Sequence, residues 1–251
     1  MAVMLMVFAA AYGAVAGLLV RRPAYRLAVG PGERRRDSCP GGHPVAGSWR
    51  GWIGPGRCRT CGAYGPGAAT TALVTALACG ALAAATGARP ELVVWLAAAP
   101  VAVLLAVVDR RVGRLPDVLT LPLAGGTALL LGGAGLGTEA AGSWGGALLG
   151  GPALAAFYFI LYLVNPEGMG FGDVKLAIGL GVTLGWYGWA ILITGAFAGV
   201  LLGALYGCGL LLRRAGSAER RNDGLKQAIP YGPFMIIGAF LGVLLGAAAA
   251  P

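Results

Sequence analysis

Charged residues are scarce in this chain of 251 residues, since Asp, Glu, Lys and Arg together make up only 12% of it. A soluble globular domain carries about 25% charged residues. The hydrophobic share is correspondingly high, at 57%. Too few polar side chains are present to cover a water-soluble globule, and disorder requires high charge with low hydrophobicity. The composition therefore excludes both classes and indicates a protein that folds in a lipid bilayer.

Long apolar runs replace the missing charge. A run of about 20 apolar residues can cross the hydrocarbon core as a helix. The candidate spans are residues 2–20, 68–87, 91–108, 118–136, 143–164, 173–186, 188–212 and 229–250. The 45 glycines agree with this interpretation, because small residues let membrane helices approach closely. The sequence predicts an all-α, polytopic helical membrane protein with about eight transmembrane helices.

The chain divides into three parts on this interpretation. Residues 1–20 form the first transmembrane helix, residues 21–66 a cytoplasmic loop domain that contains cysteines, and residues 67–251 the remaining membrane domain. The loop domain is too short to bury a core of its own. We therefore expect it to be held by a metal ion or packed on the membrane domain.

Basic residues are concentrated in a few loops. Seventeen of the 19 Lys and Arg residues lie in segments 21–66, 109–117 and 213–228, which fall on one side of an eight-span protein. The positive-inside rule makes that side cytoplasmic and places both termini outside. The net charge of +9 is then mainly a topology signal, with attraction to anionic headgroups as a secondary effect. No folded basic module is long enough to dock a duplex, so nucleic acid is not an expected partner.

Three aspartates lie near the cytoplasmic ends of the spans, where carboxylates are costly and usually functional. Asp109 ends the third span, Asp117 precedes the fourth and Asp173 precedes the sixth. Each has a structural alternative. Asp109 can be a solvated helix end that pairs with Arg110 or Arg111, and Asp117 can be a helix N-cap. Asp173 is the strongest candidate for chemistry.

The segment Gly168-Met169-Gly170-Phe171-Gly172-Asp173 has three glycines at alternate positions. Glycines permit irregular backbone where it is buried in protein or lines a wet cavity, and they allow a substrate to approach closely. A phosphate-binding loop would need a preceding strand, and the terminal acid would repel phosphate. The segment therefore favours a carboxylate site over a nucleotide site.

Two neighbouring carboxylates share a proton, because like charges a few ångströms apart cannot both ionise. The ionised carboxylate acts as a general base on water, and the protonated one polarises the scissile carbonyl and assists the leaving amine. No Ser/His/Asp arrangement competes with this chemistry, since the single histidine, His43, lies in the cysteine-containing loop. The sequence predicts an aspartic peptidase.

Three segments in order resemble the prepilin peptidases, integral-membrane aspartyl peptidases of the GxGD type. They are Gly170 to Leu176, with its Gly-Phe-Gly-Asp core, Asp109 to Pro122, with Leu-Pro-Asp inside it, and Ile229 to Phe234, with Pro-Tyr-Gly-Pro inside it. The resemblance covers about residues 68–250. It implies an enzyme that removes the basic leader from type 4 prepilins and pseudopilins, at the cytoplasmic face of a prokaryotic plasma membrane.

The resemblance also implies roles for individual residues. Asp109 stands eight residues before the aspartate of Leu-Pro-Asp and matches the first catalytic aspartate, and Asp173 matches the second. Gly170 and Gly172 would shape the substrate approach. The supporting set is completed by Asp117, as a second-choice partner or orienting residue, and Lys175. Lys175 has two open interpretations, since it can bias the proton affinity of Asp173 or extend to the interface.

The cysteine-containing loop carries a candidate zinc site. Cys58 and Cys61 have C-x2-C spacing, and Cys39 with His43 offers a C-x3-H half. A reducing cytoplasmic loop favours metal over disulfide. Many members of the resembled family carry two C-x2-C pairs here, whereas this chain has Gly42 where a cysteine would complete the first pair. The alternative is a degenerate site that binds no metal.

Other functions remain as alternatives. Many prepilin peptidases also N-methylate the new N-terminus with S-adenosylmethionine, for which the sequence shows no pocket. A related GxGD peptidase with another substrate, an inactive assembly scaffold, or a small proton-coupled transporter would share parts of the pattern. A transporter relay requires ionisable groups at several depths, whereas the three aspartates cluster at one boundary.

Overall fold

The computed structural model describes residues 1–30, 32–45, 48–166, 168–215 and 230–250. This part of the chain forms ten helices and one two-stranded antiparallel hairpin. The elements are α1 (Ala2–Leu19), α2 (Arg21–Leu27), α3 (Ser48–Gly51), β1 (Arg57–Cys58), β2 (Gly62–Ala63), α4 (Ala68–Thr86), α5 (Glu91–Val112), α6 (Asp117–Ala134), α7 (Trp144–Val164), α8 (Phe171–Trp186), α9 (Trp189–Ala215) and α10 (Gly232–Ala249).

Seven helical segments of the described chain are long and apolar enough to cross a bilayer. They are α1 with α2, α4, α5, α6, α7, α9 up to Leu210, and α10. The prediction of an all-α, polytopic membrane protein is therefore confirmed. Of the three basic loops, most of segment 213–228 lies outside the described residues, as does Ile229 of the third motif.

The eighth candidate span, α8, is a short helix at the centre of the bundle. It has 16 residues, which gives about 24 Å at 1.5 Å per residue, less than a hydrocarbon core of about 30 Å. It packs against α6, α7, α9 and α10, and most of its residues are buried. Because neighbouring helices cover its surface, α8 does not need the length of a lipid-facing helix.

Glycine allows α8 to contact α7 at backbone distance. A Cβ atom on Gly150 or on Gly181 would overlap the carbonyl oxygen of the other residue, and a Cβ on Gly185 would lie 2.5 Å from the carbonyl oxygen of Gly146. Side chains at these positions would force the helices apart. The glycines therefore set the position of α8 relative to α7.

Polar contacts fix the end of the bundle where α4 ends and α5 begins. Glu91 is completely buried and accepts a hydrogen bond from the Ala141 N–H at 3.4 Å. Arg89 lies 3.9 Å from Glu91 and donates to the carbonyl oxygens of Ala247 and Ala250 at 3.1 and 3.2 Å. These contacts hold the start of α5 beside the end of α10.

At the opposite end, buried arginines fold the loop domain back onto α2. Arg21 donates to the carbonyl oxygens of Pro66 at 2.8 Å, Tyr64 at 3.4 Å and Pro55. Arg22 donates to the carbonyl oxygen of Ile53 at 3.3 Å. Because α2 packs on α5, this network holds the loop domain at the polar end of the bundle.

The packing predicts that Gly181→Ala destabilises the protein. Its methyl group would overlap the Gly150 carbonyl oxygen, and overpacking of this kind costs about 1–3 kcal/mol. Thermal unfolding in detergent should show a lowered midpoint. Gly126→Ala is the matched control, because no atom lies within 4 Å of a Cβ there, and it should leave the midpoint unchanged or raise it. Equal midpoints for the two variants would contradict the packing role of Gly181.

Candidate active site

Asp109 is buried at the end of α5, with 4% of its surface exposed. Its Oδ2 accepts a hydrogen bond from the Gly232 N–H, at the start of α10, at 3.0 Å. Among the described residues, neither Arg110 nor Arg111 lies within ion-pair distance of it, and both arginines are exposed. The alternative of a solvated helix end paired with a neighbouring arginine does not describe this residue.

Asp173 lies in the first turn of α8 and is also buried, with 6% of its surface exposed. Its Oδ2 accepts a hydrogen bond from the Gly170 N–H at 3.1 Å. A carboxylate in this position benefits from the unpaired N–H groups and the positive end of the helix dipole. Gly170 therefore contributes through its backbone, which orients the Asp173 side chain.

The structure brings the two aspartates to the same end of the bundle, close enough for their charges to interact. Leu115 packs between Gly172, which precedes Asp173, and Gly232, whose N–H donates to Asp109. A Cβ on Gly172 would lie 3.1 Å from the Leu115 Cβ, and a Cβ on Gly232 would lie 3.4 Å from the Leu115 Cδ1. The space beside Gly172 is therefore filled by Leu115.

Gly232 is a site residue to which the sequence assigned no individual role. A Cβ at this position would lie 2.8 Å from the Asp109 Oδ2, so any side chain would displace the carboxylate. The signal was present, because Gly232 belongs to the Pro-Tyr-Gly-Pro segment that opens α10. What the sequence could not show is that this segment contacts Asp109, 123 residues earlier.

Two tyrosines next to Asp173 were also missed. Tyr158 of α7 is 1% exposed, and its ring centroid lies 6.1 Å from that of Tyr231. Both tyrosines lie within electrostatic range of Asp173. Tyr231 precedes Gly232, so one short segment contacts the surroundings of both carboxylates. Tyr158 had no signal in the sequence, where it is one aromatic residue in an apolar span.

Asp117 and Lys175 form an ion pair beside the buried aspartates. The Lys175 Nζ lies 2.7 Å from the Asp117 Oδ2, and the side chains are 28% and 57% exposed. Asp117 is the first residue of α6, and the N-cap position belongs to Pro116. The pair therefore links the first turns of α6 and α8, in place of the N-cap role considered for Asp117.

The cysteine-containing loop brings four potential metal ligands together. The ligand atoms of Cys39, His43, Cys58 and Cys61 all lie within 4.8 Å of one another. The Cys39 Sγ lies 3.7 Å from the Cys61 Sγ and 3.6 Å from the His43 Nδ1. A zinc ion with bonds of about 2.3 Å places tetrahedral ligands about 3.8 Å apart. The cluster therefore has the size of a tetrahedral zinc site.

Tight turns form both halves of this cluster. Cys58 and Gly62 face each other in the β1–β2 hairpin, with Cys61 in its turn. In the other half, the Cys39 N–H donates to the His43 carbonyl oxygen at 2.8 Å. Gly42, which stands where a further cysteine was expected, has a φ of +81°, a conformation that favours glycine. His43 thus takes the ligand position in the first turn.

The cysteine thiols influence one another electrostatically. Hydrogen bonds from the backbone N–H groups of Cys61 and Thr60 lower the pKa of Cys58 to about 6. Desolvation and the thiols of Cys39 and Cys58 raise the pKa of Cys61 to about 11. The first proton of such a coupled group leaves readily and the last does so with difficulty. A bound dication would favour the loss of all the thiol protons.

The fold and the site define a multi-pass helical membrane protein with two buried carboxylates at one end. Residues 95–208 match the type IV leader peptidase family. A relative from Aeromonas hydrophila, named prepilin leader peptidase/N-methyltransferase, is 34% identical over 235 residues, which cover 87% of this chain and 72% of the relative. Leader peptidase HopD from Escherichia coli is 34% identical over 134 residues, or 53% of this chain and 80% of the relative.

No solved structure matches the chain. The chain belongs to the type IV leader peptidase family, so the expectation that it is a peptidase is confirmed. The resemblance stated from its three sequence segments is confirmed as well.

The exposure of the Asp117–Lys175 pair predicts a small effect for Asp117→Asn. An exposed ion pair contributes about 0.2–1 kcal/mol, so the unfolding free energy should fall by no more than about 1 kcal/mol. Peptidase activity should stay within about threefold of wild type, because the retained amide can still hydrogen bond Lys175. Activity as low as that of an Asp109 or Asp173 variant would instead place Asp117 in the catalytic pair.

Proposed function

We propose that the chain is an aspartic endopeptidase that removes the basic leader from type 4 prepilins or pseudopilins, with Asp109 and Asp173 as its catalytic pair. The observation that carries this proposal is the meeting of two buried carboxylates at one end of the bundle, each with a backbone N–H donor. The residues lie in the catalytic domain proposed for 67–251, after the transmembrane helix at 1–20 and the loop domain at 21–66.

The pair would hydrolyse the peptide bond in two steps. The ionised carboxylate removes a proton from water as the water oxygen attacks the scissile carbonyl carbon, and the protonated carboxyl gives its proton to the carbonyl oxygen. The tetrahedral intermediate then breaks its C–N bond. The amine leaves with the proton that the first carboxyl took from water, and a hydroxyl of the intermediate returns its proton to the other carboxylate as the C=O bond re-forms. The pair therefore holds one proton before and after the reaction.

The surroundings support this chemistry. The Gly232 N–H donates to Asp109 and the Gly170 N–H donates to Asp173. They stabilise whichever carboxylate is charged, since hydrogen bonds to an ionised group are strong. Tyr158 and Tyr231, whose ring centroids lie 6.1 Å apart, add phenol groups within electrostatic range of Asp173. Burial excludes bulk water, which strengthens the electrostatic interaction between the two aspartates.

The proposed orientation puts this end at the cytoplasmic face of a prokaryotic plasma membrane. Two of the basic segments flank the site there, 21–66 and 109–117, as the positive-inside rule requires. A substrate with a cytoplasmic leader and a hydrophobic membrane segment would then present its cleavage point at the depth of Asp109 and Asp173. The names of the Aeromonas relatives include prepilins as substrates. We propose that such a prepilin, with its leader in the cytoplasm and its hydrophobic segment in the membrane, is the substrate of this chain.

Cleavage of a co-expressed prepilin tests the catalytic pair. Asp109→Asn and Asp173→Asn remove one ionisable group each at constant size, and each should lower the rate on the order of 10³-fold, as loss of general acid–base catalysis does. Asp117→Asn is the matched control and should retain activity. Thermal unfolding of each variant separates a chemical defect from misfolding. Cleavage at the wild-type rate by a folded Asp109 or Asp173 variant would exclude the proposed pair.

A structural zinc ion in the loop domain is the second part of the proposal. Cys39, His43, Cys58 and Cys61 fit the size of a tetrahedral site and provide the thiolate and imidazole ligands that zinc prefers. Four protein ligands leave no open position for water, so the ion would stabilise the loop domain and take no part in peptide hydrolysis. The alternative remains a degenerate site without metal.

Metal analysis of the purified full chain tests the site. We expect about one zinc per chain in wild type, and loss of zinc together with faster proteolysis within residues 21–66 for Cys58→Ser. Cys208→Ser removes a cysteine from α9, outside the cluster, and should change neither quantity. Two results together would identify a degenerate site. Wild-type protein from cells grown with ample zinc would contain no zinc, and its loop would resist protease equally with and without a chelator.

Methyl transfer is a separate activity. The names of the Aeromonas relatives include N-methyltransferase, and that reaction would require S-adenosylmethionine as the methyl donor. The name of the E. coli relative includes only leader peptidase. We assign no residue of the described chain to this cofactor, so the proposed function is limited to peptide cleavage.

A further inference from the structure

Two exposed apolar side chains project from the loop domain at the polar end of the bundle. Trp49 is 80% exposed and Ile53 is 42% exposed. Between them, the Trp52 N–H donates to the Trp49 carbonyl oxygen at 3.2 Å, so the segment is a tight turn. Residues 49–53 are called the tryptophan turn below. Large exposed apolar groups beside a membrane domain indicate contact with lipid.

The contacts of Trp52 give the depth of this turn. Its side chain packs on a buried cluster that includes Val108 of α5. Val112 of α5 and Leu119 of α6 pack on the same cluster. At these residues α5 ends and α6 begins, so Trp52 lies at the level where the chain leaves and re-enters the bilayer. Tryptophan is enriched at this interface because its ring is apolar and its N–H is polar.

Arginines surround the turn. The Arg26 guanidinium lies 4.1 Å from the centre of the Trp52 ring, and that of Arg35 lies 5.4 Å from it. Arg36 lies over the Tyr25 ring at 4.9 Å, and Arg111 lies at the end of α5, the helix against which α2 packs. Positive charge is therefore concentrated on the side of the loop domain that adjoins α5.

Arg35, Arg36 and Arg111 are not neutralised by acidic side chains within the described part of the chain. The ion pairs found there join Arg89 to Glu91 and Lys175 to Asp117. Arg35, Arg36 and Arg111 thus have no carboxylate within 4 Å among the described residues. Exposed guanidinium groups without a carboxylate beside an apolar turn provide a site for an anion with an attached apolar group.

We propose that the tryptophan turn and Arg35, Arg36 and Arg111 form a binding site for anionic phospholipid, with the headgroup phosphate on the arginines and the acyl chains beside Trp49 and Ile53. Guanidinium groups bind phosphate through paired hydrogen bonds, and each basic residue near an anionic leaflet strengthens its attraction. Trp52 packs on the same buried cluster as Val112 of α5 and Leu119 of α6, so the site adjoins membrane-spanning helices, which favours lipid over a soluble anion. This inference does not depend on the proposed peptidase substrate.

Native mass spectrometry of the detergent-purified full chain tests the site, with phosphatidylglycerol and phosphatidylcholine as probes. We expect a preference for phosphatidylglycerol, which should weaken roughly 25-fold in the double variant Arg35→Gln/Arg36→Gln, since each arginine contributes about fivefold. The control Arg57→Gln/Arg59→Gln removes the same charge from the β1–β2 region and should keep the preference. Circular dichroism confirms that both variants are folded.

Three outcomes would overturn the proposal. Equal weakening in the two double variants would show diffuse attraction to positive charge. Equal binding of the two lipids by wild type would show that no headgroup site exists. Displacement of phosphatidylglycerol by an equal concentration of glycerol phosphate would show a site for a soluble phosphate ester.

Nanodiscs with brominated acyl chains test the position of the turn. Bromine quenches tryptophan fluorescence on contact, so the quenched signal should fall in Trp49→Phe by the contribution of one lipid-exposed indole. Trp144→Phe, which removes a partly exposed indole from the start of α7, gives the reference contribution. An unchanged quenched signal in Trp49→Phe would place the turn in water and contradict its contact with lipid.

Discussion

The burial of two carboxyl groups at the same end of the bundle is the constraint on which the rest of the structure depends. Asp109 and Asp173 are almost completely shielded from solvent, and a buried carboxylate is costly unless hydrogen bonds compensate it. Each receives a backbone N–H from the start of a helix region, Gly232 for Asp109 and Gly170 for Asp173. Three helix ends must therefore meet, which requires α8 at the centre and glycine wherever a side chain would intervene.

The same molecule uses arginine in two contrasting ways. Arg21 is buried and directs its guanidinium at backbone carbonyl oxygens, so it serves as a structural connector between α2 and the loop domain. Arg35 and Arg36 are exposed and lack carboxylate partners among the described residues. The loop domain is thus fastened to the bundle by one set of arginines and turned toward the leaflet by another. Both uses depend on the position of α2 against α5.

Local chemistry explains which parts of the site were predictable. Asp109 and Asp173 stand out because carboxylates are rare in apolar spans, and Cys58 with Cys61 stands out because of its spacing. Tyr158 does not, because one aromatic residue in an apolar span is ordinary. The partner of Lys175 could not be predicted either. Its long side chain could have approached Asp173 or extended to the membrane interface, and the ion pair that it forms with Asp117 joins two separate helices.

The sequence by itself determined that this protein folds in lipid and that it is helical, because these properties depend on the length and composition of each segment. It also determined which carboxylates are exceptional. Only the tertiary structure decided what surrounds them, since Gly232 and Tyr158 reach the site from distant parts of the chain. Backbone hydrogen bonds and close helix contacts depend on which segments lie next to each other in the folded protein. The scarcity of charge indicates that the protein folds in lipid, but it does not indicate which helix ends meet.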